Sequence, residues 1–223
     1  MRKQRCDGQE TRRNLLAAAG EIFARKGFRQ ATVAEICKQA AANTAAVSYH
    51  FGSKEALYVE SWRYAFKQSL KTYPLSGGIS PKAPPEERLH GRILAIMRRI
   101  IDPKSHEFDI FHKEMANPTG LLAKAIQESV EPIFKGLGLL VGELLDREPH
   151  EHEVQLCVMS IRAQCFGPLM LARQRKAAQG GLPPTGLEPL LEDVEHLADH
   201  VTRFSLAGIR ALRHRHTQQS NNE

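Results

Sequence analysis

One stretch, TVAEICKQAAANTAAVSYHFGSK at residues 32–54, limits the fold of this chain more than any other. Thr32 precedes Glu35 by three residues, the capping-box spacing that satisfies free backbone N–H groups where a helix begins. Small or apolar residues then recur at intervals of three and four: Val33, Ile36, Cys37 and Ala40. This periodicity is typical of one buried helix face, so a short helix is predicted to begin at Thr32.

A second short helix is predicted directly after the first. Three alanines at 40–42 leave almost no side-chain bulk at the turn, and Asn43 is a favourable N-cap for a helix over 43–50. Apart from Val47, that helix carries mainly small and hydrogen-bonding side chains. Two short helices joined by a tight turn form a helix-turn-helix, and small polar groups on the second helix suit contact with the DNA major groove.

The sequence TVAEICKQAAANTAAVSYHFGSKEALY resembles the DNA-binding signature of the TetR family of bacterial transcriptional regulators. The resemblance covers residues 10–60, including the preceding helix and the Ser-Lys-Glu-x-Leu exit, and MANPTG at 115–120 is similar to the branch related to CecR. Family members often carry Gly where Ala41 stands and Gly-Thr where Ala45 and Ala46 stand. These differences bear on which DNA base sequence the protein would recognise.

The resemblance implies DNA contacts at eight positions: Thr32, Asn43, Thr44, Ala45, Ala46, Tyr49, His50 and Lys54. Four of them are expected to bind phosphates: Thr32, Tyr49, His50 and Lys54. Residues 44–46 are expected to face the bases.

Positive charge is concentrated at the N-terminal end. Of the net +6, residues 1–58 hold +5, from ten basic and five acidic residues, and the remainder of the chain holds +1. Neutralising phosphates supplies much of the affinity of proteins for DNA, so this asymmetry indicates the same region as the motif. The charge distribution alone is also consistent with a basic, solvent-exposed surface that binds no partner.

The bulk composition indicates a folded cytoplasmic protein. A chain of 223 residues, 42% hydrophobic, buries a real core, and disorder is not expected. Its four cysteines form no Cys-x-x-Cys pair, and neither a signal peptide nor a long uninterrupted apolar span is found. Neither secretion nor membrane insertion is therefore predicted.

The predicted fold is all-α with about nine helices. A three-helix DNA-binding domain, 1–58, is expected to precede a larger helical ligand-binding and dimerisation domain, 59–223. No segment alternates with period two over a useful length, so no sheet is predicted. Residues 1–9 are expected to form a loose basic arm, which either reaches a minor groove or has no role. GGLPPTG at 180–186 is expected to separate the last two helices.

The last predicted helix, 187–213, repeats every seven residues in two seams. One seam holds Leu187, Val194, Val201 and Gly208, and the other holds Leu190, Leu197, Phe204 and Ala211. From pattern alone, the last two helices either pack inside one monomer or form a dimer interface. The resemblance implies a four-helix homodimer interface and, with it, a near-palindromic double-stranded DNA operator.

The resemblance also places a cavity for a small-molecule effector among the middle helices. Candidate apolar lining residues are Met97, Phe108, Phe111, Met115 and Phe166, because thioethers and aromatic rings line adaptable pockets. Arg99 and His112 are candidate polar contacts. For each of these residues, ordinary core or surface use is the alternative.

No catalytic site, metal site or cofactor is predicted. His196 and His200 have the i, i+4 spacing of a metal pair but are expected on a solvated face, and the HEHE run at 150–153 lacks the metalloprotease spacing. Cys157 and Cys165 are interpreted as buried small residues, with a thiol sensor as the alternative.

The predicted function is a ligand-responsive transcriptional regulator, a repressor released from its operator by an effector, and not an enzyme. A nonspecific DNA-compacting protein is one alternative, which a footprint without a protected site would favour. A helical enzyme with a scaffold N-terminal domain is the other, which turnover without DNA affinity would favour.

Overall fold

The computed structural model describes the backbone of residues 2–177 and 188–220, and the side chains of 8–176 and 189–214. All regular structure in those residues is helical, which confirms the predicted all-α fold. The ten described helices are α1 Arg2–Gln30, α2 Val33–Gln39, α3 Thr44–Phe51, α4 Lys54–Thr72, α5 Pro85–Ile101, α6 His106–Ala116, α7 Ala123–Leu145, α8 His152–Ala177, α9 Glu188–Glu192 and α10 Val194–Ser220.

The chain forms two compact units. The first contains Met1–Lys71 and Pro103–Ser129, and the second contains Thr72–Asp102 and Val130–Glu223. Helix α6 therefore packs with the N-terminal helices, although it comes after α5 in the chain. The predicted division into a DNA-binding domain, 1–58, and a ligand-binding and dimerisation domain, 59–223, stays a prediction.

In the first unit, α1 packs against α6 and α2, and its inward face carries fully buried apolar side chains, among them Leu15, Ile22 and Phe23. The helix is interrupted at Gly27, whose φ of 74° and ψ of 172° are not helical. Glycine suits this position because it adopts a left-handed φ without the steric cost of a side chain.

The prediction of a loose N-terminal arm is wrong. Helix α1 begins at Arg2, so the backbone of the basic segment continues the helix instead of leaving it. Arginine, lysine and glutamine are good helix formers, and extending an existing helix costs far less than starting one.

In the turn between α2 and α3, Ala41 adopts a left-handed backbone with φ 51°. We expect Ala41→Gly to raise the free energy of unfolding by up to about 1 kcal/mol. The left-handed form costs an L-residue roughly 1–2 kcal/mol, which glycine avoids, but glycine loses more conformational entropy on folding, and this offsets roughly 0.5–1 kcal/mol of the gain. Urea denaturation measures the change. The neighbouring Ala42, whose φ is negative, is the control, and Ala42→Gly should destabilise. A loss of stability in Ala41→Gly would contradict the strain argument.

In the second unit, α5 packs against both α8 and α10. The buried side chains recur at helical intervals on all three helices: Leu89, Ile93, Met97 and Ile100 on α5; Val154, Val158, Ile161, Cys165 and Leu169 on α8; Val194, Ala198, Val201 and Ile209 on α10. Arg173 of α8 donates from Nη1 to the carbonyl oxygens of Ile100 and Asp102, both at 2.7 Å. It thereby satisfies backbone acceptors at the end of α5.

The loop between α4 and α5 lies directly on α5 at two glycines. A Cβ added at Gly77 would lie 2.2 Å from the carbonyl oxygen of Gly91, and a Cβ added at Gly91 would lie 2.5 Å from that of Ser76. The chain can approach itself this closely only because neither residue has a side chain.

The prediction of a single helix over 187–213 is wrong at its start, because two separate helices, α9 and α10, occupy the described part of this range. Asp193 lies between them, and its Oδ1 accepts a hydrogen bond from the backbone N–H of His196 at 2.9 Å, so it caps α10. The segment GGLPPTG and the seam residue Leu187 lie outside the described residues. Helix α7 continues through Pro132.

Of the described helices, α8 is the one long and apolar enough to cross a membrane by length and composition. Core helices of soluble proteins pass the same test, and one apolar face of α8 is buried in the second unit. We therefore interpret α8 as a core helix.

Candidate nucleic-acid interface

The helix-turn-helix begins with the two predicted caps. Thr32 Oγ1 accepts from the backbone N–H of Glu35 at 3.2 Å, and Glu35 Oε2 accepts from the backbone N–H of Thr32 at 3.2 Å, which completes the capping box. Asn43 Oδ1 accepts from the backbone N–H of Ala46 at 2.9 Å. Both helices thus start where short-range sequence signals placed them.

One face of helix α3 packs against the protein, and the opposite face is exposed to solvent. Val47 is buried, whereas Tyr49 is 84% exposed, and Thr44 and Ala45 are also exposed. The thiol of Cys37 on α2 donates to the carbonyl oxygen of Asn43 at 3.4 Å, and burial raises the pKa of this thiol. A face of small and polar side chains is therefore available to a partner.

None of the eight predicted DNA-contacting residues is buried. Five are exposed: Thr32, Asn43, Thr44, Ala45 and Tyr49. Three are half-buried: Ala46, His50 and Lys54. Seven of the eight lie together on α3, at its N-cap or at the start of α4, whereas Thr32 lies at the start of α2.

The hydroxyl of Thr32 is already engaged within the chain. It donates to Glu35 Oε2 at 3.1 Å, and Lys26 Nζ pairs with the other oxygen of the same carboxylate. The hydrogen bond from Lys26, followed by those from Thr32, lowers the pKa of Glu35. The phosphate contact predicted for Thr32 stays a prediction and requires the hydroxyl to leave Glu35.

Two cation–π contacts hold basic side chains at the edges of this surface. Lys54 Nζ lies 4.5 Å from the centroid of the Phe28 ring. The Arg12 guanidinium lies 5.1 Å from the centroid of the Phe51 ring, and its Nη2 is 3.1 Å from Glu60 Oε2. Arg12 therefore ties α1 to the end of α3 and to α4, a role that no short-range sequence signal indicates.

The candidate ligand-binding residues are distributed between the two units. Met97, Arg99 and Phe166 lie in the second unit, where Met97 and Arg99 are buried and Phe166 is half-buried. The first unit contains Phe108, which is buried, Phe111 and His112, which are half-buried, and Met115. Met115 is 64% exposed in the last turn of α6, so the expectation that it lines an interior is not met.

Two buried carboxylates on α6 were missed by the sequence interpretation. Glu107 and Glu114 are 2% and 8% exposed, and Trp62 Nε1 donates to the backbone carbonyl oxygen of Glu107 at 3.2 Å. The available signal was their spacing, since residues 107, 110, 111 and 114 fall on one helical face that is otherwise apolar.

The cysteine environments disfavour the thiol-sensor alternative. Burial raises the pKa of Cys165 to about 12, and burial together with Glu153 raises the pKa of Cys157. The thiolate, which is the reactive form, is therefore disfavoured at both positions. In the described residues, no group of three or more His, Cys, Asp or Glu side chains could hold a metal ion.

Two family profiles match the chain. Residues 15–60 match bacterial regulatory proteins of the tetR family, and residues 85–209, more than half of the chain, match the C-terminal domain of the HTH-type transcriptional dual regulator CecR. The chain belongs to the TetR family, in its CecR-like branch. The helix-turn-helix described above lies within the first match, and most of α5 to α10 lies within the second.

Curated TetR-family relatives align with a short part of the chain. The HTH-type transcriptional regulator UidR of Escherichia coli K12 is 42% identical over 57 residues, which are 26% of this chain and 29% of UidR. CecR of Shigella flexneri is 46% identical over 52 residues, 23% of each protein. The chain thus spans less than a third of the length of either regulator.

Solved structures extend the likeness to the whole TetR-family fold. A transcriptional regulator from Rhodococcus sp. Rha1 has a TM-score of 0.66 at 19% identity, covering 88% of this chain and 96% of that one. The regulator FadR of Bacillus subtilis, solved in complex with stearoyl-CoA, has a TM-score of 0.65 at 17% identity, covering 87% and 97%. At these identities, the likeness concerns the fold alone.

Proposed function

We propose that this protein is a ligand-responsive transcriptional repressor that binds a near-palindromic operator as a homodimer. The observation that carries the proposal is α3, which buries Val47 and presents Thr44, Ala45 and Tyr49 to solvent. The excess of positive charge in residues 1–58 supports the same partner, a DNA duplex. The regulators that match this part of the chain support it as well.

Two apolar stripes support a homodimer through the last two long helices. On α8, five side chains at heptad spacing are exposed or half-buried: Leu156, Met159, Ala163, Phe166 and Met170. On α9 and α10, the side chains of one predicted seam are likewise exposed or half-buried: Leu190, Leu197, Phe204 and Ala211. Exposed apolar stripes of this kind are typical of protein interfaces. A dimer presents two recognition helices, as selective binding to two half-sites requires.

The proposed effector is a small, largely apolar molecule, and its contacts with the seven residues named from the sequence stay a prediction. FadR of Bacillus subtilis binds stearoyl-CoA, a molecule with a long apolar chain. Binding regulates DNA affinity if the effector prefers the conformation whose half-site spacing no longer matches the operator. The same proposal places the protein in the cytoplasm, where its DNA is.

The test is footprinting on the DNA that flanks the protein's own gene, followed by competition binding of two variants. Tyr49→Ala should weaken binding to all sequences alike, by about tenfold, because a lost phosphate contact carries no sequence information. Thr44→Ala should change which sequence is preferred, since a lost base contact removes roughly 1–3 kcal/mol of discrimination. Both side chains are exposed, so neither change should affect folding.

Two outcomes contradict the proposal. A uniform loss in Thr44→Ala together with altered preference in Tyr49→Ala would reverse the two roles. A footprint without any protected site would favour a nonspecific DNA-compacting protein instead.

A further inference from the structure

Within the first unit, the carboxylate of Glu114 is buried at the end of α6 and accepts hydrogen bonds from three residues. The backbone N–H of Thr119 and that of Gly120 donate to Oε1, both at 2.9 Å. The Thr119 hydroxyl lies 2.8 Å from the same oxygen. The Tyr58 hydroxyl, from α4, donates to Oε2 at 3.1 Å. One carboxylate thus joins α4 to the turn that leads into α7.

The hydrogen bond from Tyr58 to Glu114 lies in the interior, whereas the hydrogen bonds from Thr119 and Gly120 are partly buried. Glu114 is 8% exposed and Tyr58 is fully buried, and among the described residues the hydrogen-bond partners of Glu114 are all uncharged. A buried carboxylate is tolerated only while its hydrogen-bond donors stay in place, and a buried hydroxyl without a partner is costly. A displacement of α4 against α6 would leave the buried Tyr58 hydroxyl without its partner and remove one donor from the carboxylate, so the arrangement resists it.

Tyr58 carries this constraint to the DNA-binding helices. Its ring lies edge-on to that of Phe23 at 4.8 Å between centroids, and 5.0 Å from that of Phe28. Phe28 in turn holds the ammonium group of Lys54 over its ring. A continuous set of contacts therefore runs from the 119–120 turn through Glu114 and Tyr58 to Lys54, at the start of α4.

We propose that Glu114 is a positioning residue for operator binding, which fixes the first turns of α4, and with them Lys54, against α1 and α6. The inference rests on the proposed function, because positioning matters only if Lys54 meets DNA. Selective binding requires several contacts to be made at once in one geometry, whereas nonspecific binding depends mainly on charge.

The test uses full-length Tyr58→Phe, which removes one hydroxyl and no charge. Tyr64→Phe is the matched control, since Tyr64 lies half-buried on the same helix and its hydroxyl has no hydrogen bond among the described residues. Hydrogen exchange is measured first, without DNA, in peptides covering 54–60 and 119–122. We expect faster exchange in both peptides for Tyr58→Phe and for Glu114→Gln, and no change for the control.

DNA binding is then measured well below the unfolding temperature, where each variant is folded. We expect Tyr58→Phe to bind the footprinted operator about tenfold more weakly than wild type, and random DNA equally well. A hydroxyl with a structural role alone would lower the melting temperature and leave the affinity of the folded protein unchanged, and this result would overturn the inference.

The two proposals fail in distinguishable ways. If wild type protects an operator and Tyr58→Phe binds it unchanged, the positioning role is refuted and the regulator stands. If wild type selects no DNA, the proposed function fails and the positioning role for operator binding fails with it. Faster exchange in both peptides would then show only that Glu114 constrains the start of α4.

Discussion

The double variant Met159→Glu with Phe204→Glu is expected to be a folded monomer that no longer selects operator DNA. These side chains are 57% and 64% exposed, so the substitutions cost little within one subunit. In a two-fold interface, each carboxylate enters twice and is desolvated without a partner, at several kcal/mol per charge. Selective affinity should fall by roughly 10³-fold or more, towards that of nonspecific binding. Analytical ultracentrifugation and footprinting measure the two effects.

The matched control is Leu139→Glu. Leu139 is 55% exposed on α7, in the same unit but outside both apolar stripes. This variant should remain dimeric and protect the operator. If Leu139→Glu were a monomer and the double variant a dimer, the interface would lie on α7, and the proposed interface would be refuted.

Gly91→Ala is expected to lower the free energy of unfolding by about 2 kcal/mol, although Gly→Ala inside a helix normally stabilises by roughly 1. The reversal follows from the loop that lies on α5. The new methyl group would lie 2.5 Å from the carbonyl oxygen of Ser76 and 2.6 Å from Cγ1 of Ile79, so the loop must move. Thermal or urea denaturation measures the loss.

Gly20→Ala is the control for this effect. Gly20 is also inside a helix, α1, and apart from its chain neighbours and the adjacent backbone of α1, no atom of the described residues lies within 4 Å of the Cβ that alanine would add. This variant should be more stable than wild type by roughly 0.5–1 kcal/mol. Stabilisation by both substitutions would show that the loop yields without cost, contrary to the close packing argued above.

The loop also bears on dimerisation. Helix α5 packs against α8 and α10, the two helices that carry the apolar stripes. Displacing the loop from α5 should therefore loosen the surface proposed for dimerisation, and Gly91→Ala should weaken the dimer as well as the fold.

Much of the molecule was determined by short stretches of sequence. The caps at Thr32 and Asn43, the helical fold and the outward face of α3 follow from residues at most four positions apart, because capping and helical periodicity are local properties. The DNA-binding signature is likewise one continuous segment, and it was sufficient to indicate the TetR family. The prediction of a loose N-terminal arm was wrong because it relied on the lack of apolar neighbours around the basic residues, whereas the same residues favour helix once α1 exists.

Tertiary structure alone decided which pairs of distant residues meet. The heptad repeat of α10 has two seams, and only packing against α5 and α8 determined that Val194 and Val201 face the core while Phe204 stays exposed. Nothing near Glu114 in the sequence indicates Tyr58, 56 residues away, as its donor. The sequence around Gly77 and Gly91 does not indicate their close contact, which exists because the loop packs against the helix. Such contacts depend on how whole helices pack, and local patterns do not encode that arrangement.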